Sequence, residues 1–214
     1  MTMPVTAPLG LSPRLVRASW AVLGALTLAS VVGVGLAPLL VVKAPLLLVA
    51  LAPDSRHVAL VAGSVEPWLL FGVSVLRRTL YSLGVFGLGA AYGDVALAFI
   101  EARARRLGKA IRLLERLFAR VGAALLVALP FLSLCVLAGA ARTRLSVFLP
   151  ALMLGHCLWV GVTVWLGKRF AASSQVVIDF FAERLFESTL VCLALVAGYQ
   201  LIARRKRKPA PPAS

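Results

Sequence analysis

Residues 121–144 read VGAALLVALPFLSLCVLAGAARTR. A largely apolar run reaches Pro130, a second leads on to Ala141, and Arg142 and Arg144 close the block. Proline has no N–H to give a helix, and its ring clashes with the carbonyl four residues back, so an apolar helix does not pass through Pro130 intact. Each half is about ten residues, or roughly 15 Å of helix, against a hydrocarbon layer of about 30 Å. Neither half crosses a membrane alone, and the block fits a re-entrant hairpin whose two ends return to one side.

The rest of the chain supports a lipid setting for this block. Of 214 residues, 61% are apolar and 14% are charged, against about a quarter charged in soluble proteins. The apolar residues come in blocks of near-spanning length with charges at their ends, which a single soluble core would not require. The net charge of +15 would suggest nucleic acid in a soluble protein. Here the basic residues concentrate in the 101–120 linker and the 204–208 tail, as expected of cytoplasmic flanks facing anionic lipid, so no nucleic-acid partner is expected. Cys135, Cys157 and Cys192 are odd in number and lie in apolar stretches, reading as small buried hydrophobes. Arg14 and Arg17 before an apolar run resemble a signal peptide, but Ala18 to Val42 is longer than an h-region and reads as a retained first helix.

Working outward gives the organisation. Residues 1–19 are a cytoplasmic N-terminal tail and 20–43 the first transmembrane helix, closed by Lys43. Two apolar pieces, Pro45–Ala52 and Val58–Val65, are separated by Pro53, Asp54, Ser55, Arg56 and His57 and closed by Glu66 and Pro67. They suit another hairpin, with one tilted helix or an extramembrane loop as the alternatives. Arg77 and Arg78 then precede a span from Thr79 to Ile100, in which Gly89 and Gly93 would let another helix approach closely. Leu145–Leu166 is a full span, 168–184 a polar-interrupted linker, 185–203 the last span and 204–214 a basic cytoplasmic tail. If 121–141 turns back, the tail and the N-terminus both face the cytoplasm, as their charge demands.

Between 101 and 120, Leu107, Ile111, Leu114 and Phe118 recur at spacings of four and three. Arg105, Lys109, Arg112, Arg116 and Arg120 occupy the opposite side. Such a helix lies on a membrane surface and binds anionic headgroups, or serves as a plain cytoplasmic connector.

Four stretches carry a family likeness. They are Pro45-Leu46-Leu47-Leu48 through Asp54 to Ala62-Gly63; Tyr81 to Gly93, ending Leu88-Gly89-Ala90-Ala91-Tyr92-Gly93; Ala119-Arg120-Val121-Gly122 leading to Pro130; and Ala138-Gly139 with Phe148 and Trp159. With these the region 44–167 resembles the DedA superfamily, whose shared region is the VTT or SNARE-associated domain. The resemblance implies two inverted re-entrant hairpins meeting near the midplane and a role in lipid transport. Bacterial members are linked to undecaprenyl phosphate or phosphatidylethanolamine, and eukaryotic relatives to phospholipid scrambling. The chain departs from the pattern at the family's arginines, where Ala128 and Leu129 precede Pro130 and Phe131, Leu132 and Ser133 follow it. Asp54 and Glu66 are the nearest acids to the family's first-hairpin carboxylate.

An ionisable group at membrane depth is expensive and therefore a functional candidate. Asp54, Arg56, His57 and Glu66 at the first hairpin, and Arg142 and Arg144 at the second, are the candidates for gripping a headgroup; an aqueous loop and cytoplasmic anchoring are the respective alternatives. Pro45, Pro53 and Pro130 keep the hairpins broken. Asp94 could pair with an arginine or be interfacial, and His156 could relay protons or join two helices by a hydrogen bond. There is no Walker A loop, G-x-S-x-G elbow or H-E-x-x-H, and the two histidines lie far apart in sequence, so no enzyme, metal or cofactor is expected. The reading is an all-α integral membrane protein of about four transmembrane helices and two re-entrant hairpins, in the bacterial inner membrane, moving lipid headgroups. The alternatives are an assembly protein without transport and an ion-coupled small-solute transporter.

Overall fold

The computed structural model describes residues 13–103 and 122–206, with side chains placed for 16–93 and 122–202. Every regular element among them is helical: α1 (Pro13–Gly35), α2 (Ala37–Lys43), α3 (Pro45–Leu51), α4 (Ser55–Val61), α5 (Pro67–Arg103), α6 (the helical residues 122–128), α7 (Leu132–Ala140), α8 (Leu145–Arg169), α9 (Ala171–Glu183) and α10 (Leu185–Lys206). Among the described residues four stretches are long and apolar enough to cross a membrane: Val16–Gly35, Pro67–Gly93, Leu145–Arg169 and Leu185–Ile202. They carry many exposed large apolar side chains, including Leu28, Trp68, Trp165 and Leu195, as expected where lipid is the solvent.

The breaks follow from proline. Ala44 before Pro45 and Ala52 before Pro53 both leave the helical region (φ −151° and −132°), because the ring that follows excludes it. Pro38 sits in the first turn of α2, where the missing N–H is harmless. The first helix expected over 20–43 is therefore two helices parted at Leu36. Pro67 likewise opens α5, so the second span starts twelve residues before the expected Thr79 and runs through Arg77 and Arg78. The polar group Ser55–His57 forms the first turn of α4, leaving a connection of three residues, Ala52 to Asp54. Most of the stretch expected as the linker 168–184 is helical, as the end of α8 and α9.

The chain divides into two compact units. The first takes residues up to Leu26 and Val75–Val162; the second takes Thr27–Ser74 and residues from Thr163 on. In the first, Leu126, Leu134, Cys135, Leu137, Ala138, Phe148, Ala151 and Leu152 form the buried core, with Phe86 stacked on Phe148 at 4.3 Å between ring centroids. Helices α5 and α7 meet backbone to backbone. A Cβ at Gly89 would strike Val136, one at Gly93 would strike Ala140, and one at Gly139 would strike the Phe86 carbonyl. The Gly89/Gly93 pair thus gives the close helix approach its spacing announces. In the second unit, Leu48, Val49, Val58 and Val61 of α3 and α4 are fully buried. A Cβ at Gly167 of α8 would meet Ala59 and Ala62.

Candidate functional site

The second unit holds the first proline break. Helices α3 and α4 have seven residues each, roughly 10 Å of helix apiece, and the turn between them leaves α3 carbonyls without intrahelical donors. Three donors answer. The Ser30 hydroxyl donates to the Leu51 carbonyl (3.2 Å), and the Asp54 N–H (2.8 Å) and His57 Nδ1 (2.9 Å) reach the Ala52 carbonyl. His57 must carry its hydrogen on Nδ1 to do so, so its side chain holds the turn closed. Asp54 and Arg56 pair at 3.3 Å with exposed side chains, and Asp54 makes no capping bond to α4. Glu66 is exposed and its carbonyl receives the Leu70 N–H at the start of α5. The structure thus brings Asp54, Arg56 and His57 to one turn beside Pro53, with Pro45 opening α3.

The first unit holds the other break. Residues 129–131 separate α6 from α7, and Phe131 is extended (φ −81°, ψ 148°). With the helix stopped, the Ala128 carbonyl has no partner four residues on, and the Trp159 indole N–H of α8 donates to it at 2.8 Å. A Cβ at Gly155 would stand 2.6 Å from the Leu126 carbonyl, which Pro130 also deprives of a donor. Helix α7 ends with the Thr143 N–H on the Ala138 carbonyl (3.0 Å) and the Arg142 N–H on the Gly139 carbonyl (2.9 Å), a Schellman ending. Its left-handed position, normally a glycine, is Arg142 at φ 52°. Arg142 and Arg144 are both exposed there.

A third group lies in the same unit. Arg77, Thr79, Ser82 and His156 are 8, 7, 2 and 4% exposed. The Arg77 guanidinium donates to the Leu26 carbonyl of α1 at 2.6 Å. The Ser82 hydroxyl meets His156 Nε2 at 3.2 Å, joining α5 to α8. Cys135 of α7 is buried in the same unit. The cluster is deep by helix position: residues 77–82 surround the centre of the 27-residue span Pro67–Gly93, and His156 is near the centre of the 25-residue span Leu145–Arg169. Ionisable groups at such depth mark pathways and binding sites more than they mark packing.

Arg77 and Arg78, expected to precede the second span, lie within helix α5, which starts at Pro67. Pro67 followed by an apolar run is the signal of that start and makes Trp68–Leu76 the first turns of the same helix. The basic face Arg105, Lys109, Arg112, Arg116 and Arg120 lies outside the described residues, as does the side chain of Asp94. Compared with known proteins, the chain matches no family model, no curated protein and no solved structure.

Proposed function

We propose that this is an integral membrane protein that moves lipid headgroups across the bilayer without breaking covalent bonds. The observation that carries the reading is the pair of proline breaks, α3/α4 and α6/α7. Helices α3, α4 and α7 are each too short to cross a bilayer, and at each break a carbonyl is answered by a side chain of a neighbouring helix, at Leu51 and Ala128. Irregular backbone within a bilayer is tolerated where protein or water surrounds it, and such segments line the paths of polar substrates. On this reading both pairs are re-entrant hairpins and the lipid tails remain in hydrocarbon while the headgroup passes along polar protein surface. The DedA likeness of region 44–167 points the same way. On this reading the basic tail and linker lie at the cytoplasmic face of a bacterial inner membrane, with both termini on that side.

The test is reconstitution of the purified protein into liposomes containing a fluorescent phospholipid, followed by a membrane-impermeant quencher. Quenching that passes the outer-leaflet half with wild type, and stops there with a folded Pro130→Leu variant, supports the reading. Quenching that stops at half with wild type rejects energy-independent movement of that lipid. A second reading, assembly without transport, is favoured by α10. No residue of its spanning window is buried, and Leu190, Val191, Leu195 and Tyr199 are exposed, leaving apolar surface beyond the contact with α2 open to a partner helix. Deleting 204–208 separates the two: partner capture lost with transport intact favours assembly through the tail.

A further inference from the structure

Helix α9 has 13 residues, roughly 20 Å of helix against a hydrocarbon layer of about 30 Å, so it does not cross a membrane. Single residues, Phe170 and Arg184, join it to the stretches Leu145–Arg169 and Leu185–Ile202, both of spanning length and apolarity. With each end tied to the end of such a stretch, α9 is held at the membrane boundary. The end of α8 carries the marks of that boundary. Trp165, Lys168 and Arg169 are all exposed there, an aromatic ring of the kind found at headgroup level followed by charges.

At about 100° per residue, α9 has three sides. Ala171, Ser174, Ile178 and Phe181 share one, and none of them is fully exposed, Ile178 being 8% exposed. This side serves the packing of α9 on α2 and α4, and a Cβ at Gly63, just after α4, would stand 2.9 Å from Ala171. Gln175, Asp179 and Glu183 occupy the second side, all exposed, with the Gln175 amide donating to Asp179 at 3.0 Å. The third side carries Val176, Val177 and Phe180, with Ser173 among them; Val176 is 69% and Phe180 53% exposed. Immersion in hydrocarbon would strip water from two carboxylates, and full exposure to water would leave the apolar side wet. A helix lying in the interface satisfies both sides.

We propose that α9 lies in the plane of the membrane interface and docks its Val176, Val177 and Phe180 side on lipid, at the boundary between headgroups and acyl chains. Three side chains fall far short of the roughly 20 residues a side of a stable protein interface. They do continue the apolar surface of the helices on either side, where Leu166, Phe170, Phe186 and Leu190 are exposed. Arg184 stands over the Phe180 ring, 5.8 Å from its centroid, an arrangement that keeps its stem on apolar surface and its charge among headgroups. From Lys168 to Glu187 three basic residues balance three acidic ones, so α9 docks by apolar burial and takes a zwitterionic bilayer as readily as an anionic one. In this it differs from the basic 101–120 segment. With lipid on one side and α2 and α4 on the other, α9 seats the first proline break against the membrane surface. The inference needs only a membrane and is independent of the lipid-transport reading.

The test uses the full chain with Cys135, Cys157 and Cys192 replaced by alanine and one new cysteine carrying bimane, reconstituted into phosphatidylcholine vesicles. Depth is read from quenching by lipids bearing a nitroxide at a shallow or a deep position of the acyl chain, and water contact from quenching by iodide present on both sides. Labels at Val176→Cys and Phe180→Cys should lie about 10–15 Å from the bilayer centre, at the outer edge of a hydrocarbon half-layer of about 15 Å. Leu158→Cys, exposed near the middle of α8, should lie within about 5 Å of the centre. Glu183→Cys should be quenched several-fold more by iodide than the labels at 176 and 180. Adding phosphatidylglycerol, or salt to about 1 M, should leave the depths unchanged. All four positions are exposed, and Val177→Cys replaces either apolar-side variant if it does not elute from detergent chromatography as wild type does. Iodide quenching at 176 and 180 equal to that at 183 would overturn the proposal by standing the helix in water. Depths equal to that of Leu158→Cys would overturn it by sinking the helix in hydrocarbon. Shielding of both labels from iodide and nitroxide alike would give the surface to protein, a second copy of the chain, and docking that appears only with phosphatidylglycerol would overturn the apolar basis.

Discussion

Gly139→Ala adds one methyl group at the crossing of α5 and α7. That methyl would overlap the Phe86 carbonyl oxygen, stand 2.7 Å from the Ala90 nitrogen and lie 3.0 Å from the Gly89 carbonyl carbon. All three are backbone atoms of a helix, so no rotamer change relieves the contact and the helices must part by roughly 1 Å to restore a carbon to oxygen distance of about 3.3 Å. Overpacking of this kind costs about 1–3 kcal/mol. The parting also loosens the Phe86–Phe148 stack, which is worth about 0.5–1.5 kcal/mol beyond its buried area. Together these give a loss of about 1.5–4.5 kcal/mol, which at about 2–4 °C per kcal/mol for a chain of this size lowers the melting temperature by roughly 3–18 °C. The assay is tryptophan-fluorescence melting in one detergent at one heating rate. Gly24→Ala and Gly198→Ala serve as references, since a Cβ at either position meets nothing within 4 Å, and both gain up to about 1 kcal/mol of helix propensity. A Gly139→Ala protein that melts with the Gly24→Ala protein would refute the backbone-to-backbone packing of α5 on α7.

Trp159→Phe keeps the aromatic ring and removes the donor to the Ala128 carbonyl, with an expected loss of about 1–3 kcal/mol in the same melting assay; an unchanged midpoint would show that the break at Pro130 needs no help from α8. Arg142→Gly relieves a left-handed arginine, a conformation costing about 1–2 kcal/mol. After glycine's own entropic cost of about 0.5–1 kcal/mol, the variant should melt at the wild-type temperature or slightly above. A drop in melting temperature would mean that the arginine side chain stabilises the end of α7. If lipid transport falls while stability does not, the strained arginine is retained for function. Asp54→Asn should shift stability by less than about 1 kcal/mol, because the ion pair with Arg56 is solvent-facing; a larger loss would give that pair a structural role.

What was legible in the sequence is what single residues enforce. Pro53 and Pro130 remove a donor and disfavour the helical conformation in the residue before them, so both breaks could be read from the sequence, although α8 runs on through Pro150. Gly89 and Gly93 were legible because their spacing leaves one face of a helix bare. The boundaries that went astray depend on competition. Ser55, Arg56 and His57 look like loop by polarity, yet Asp54 opens a helix there and His57 reaches back to the Ala52 carbonyl, a contact that exists only in the folded turn. Residues 171–183 look like a linker because charges interrupt them, but their apolar positions still recur at helical spacing, and Ile178 is buried. The polar cluster was hidden for another reason. Ser82, Cys135 and His156 lie on three helices and 74 residues separate the serine from the histidine, so no local pattern joins them, and each alone reads as ordinary packing.

Arg77 and Arg78 present the sharpest disagreement between the two readings, and their depth can be measured. A basic pair at the end of an apolar block ordinarily marks the water side of a span, which would put Leu76 in the aqueous loop before it. The structure instead begins the helix at Pro67, so Leu76 is nine residues, or roughly 13 Å, inside. Its side chain is 62% exposed, so if the span begins at Pro67 it faces lipid. Leu76 therefore separates the two placements better than the arginines, whose reactivity would also report on a hydrated site. In a background with Cys135, Cys157 and Cys192 replaced by alanine, Glu66→Cys, one residue before the helix, should react with an impermeant maleimide added from its own side. Leu76→Cys should react from neither side until detergent opens the bilayer. Equal labelling of the two positions would return Arg77 and Arg78 to the membrane surface. Thr79 Oγ1 and His156 Nδ1, buried without a hydrogen-bond partner, would then sit at a headgroup level where water can answer them.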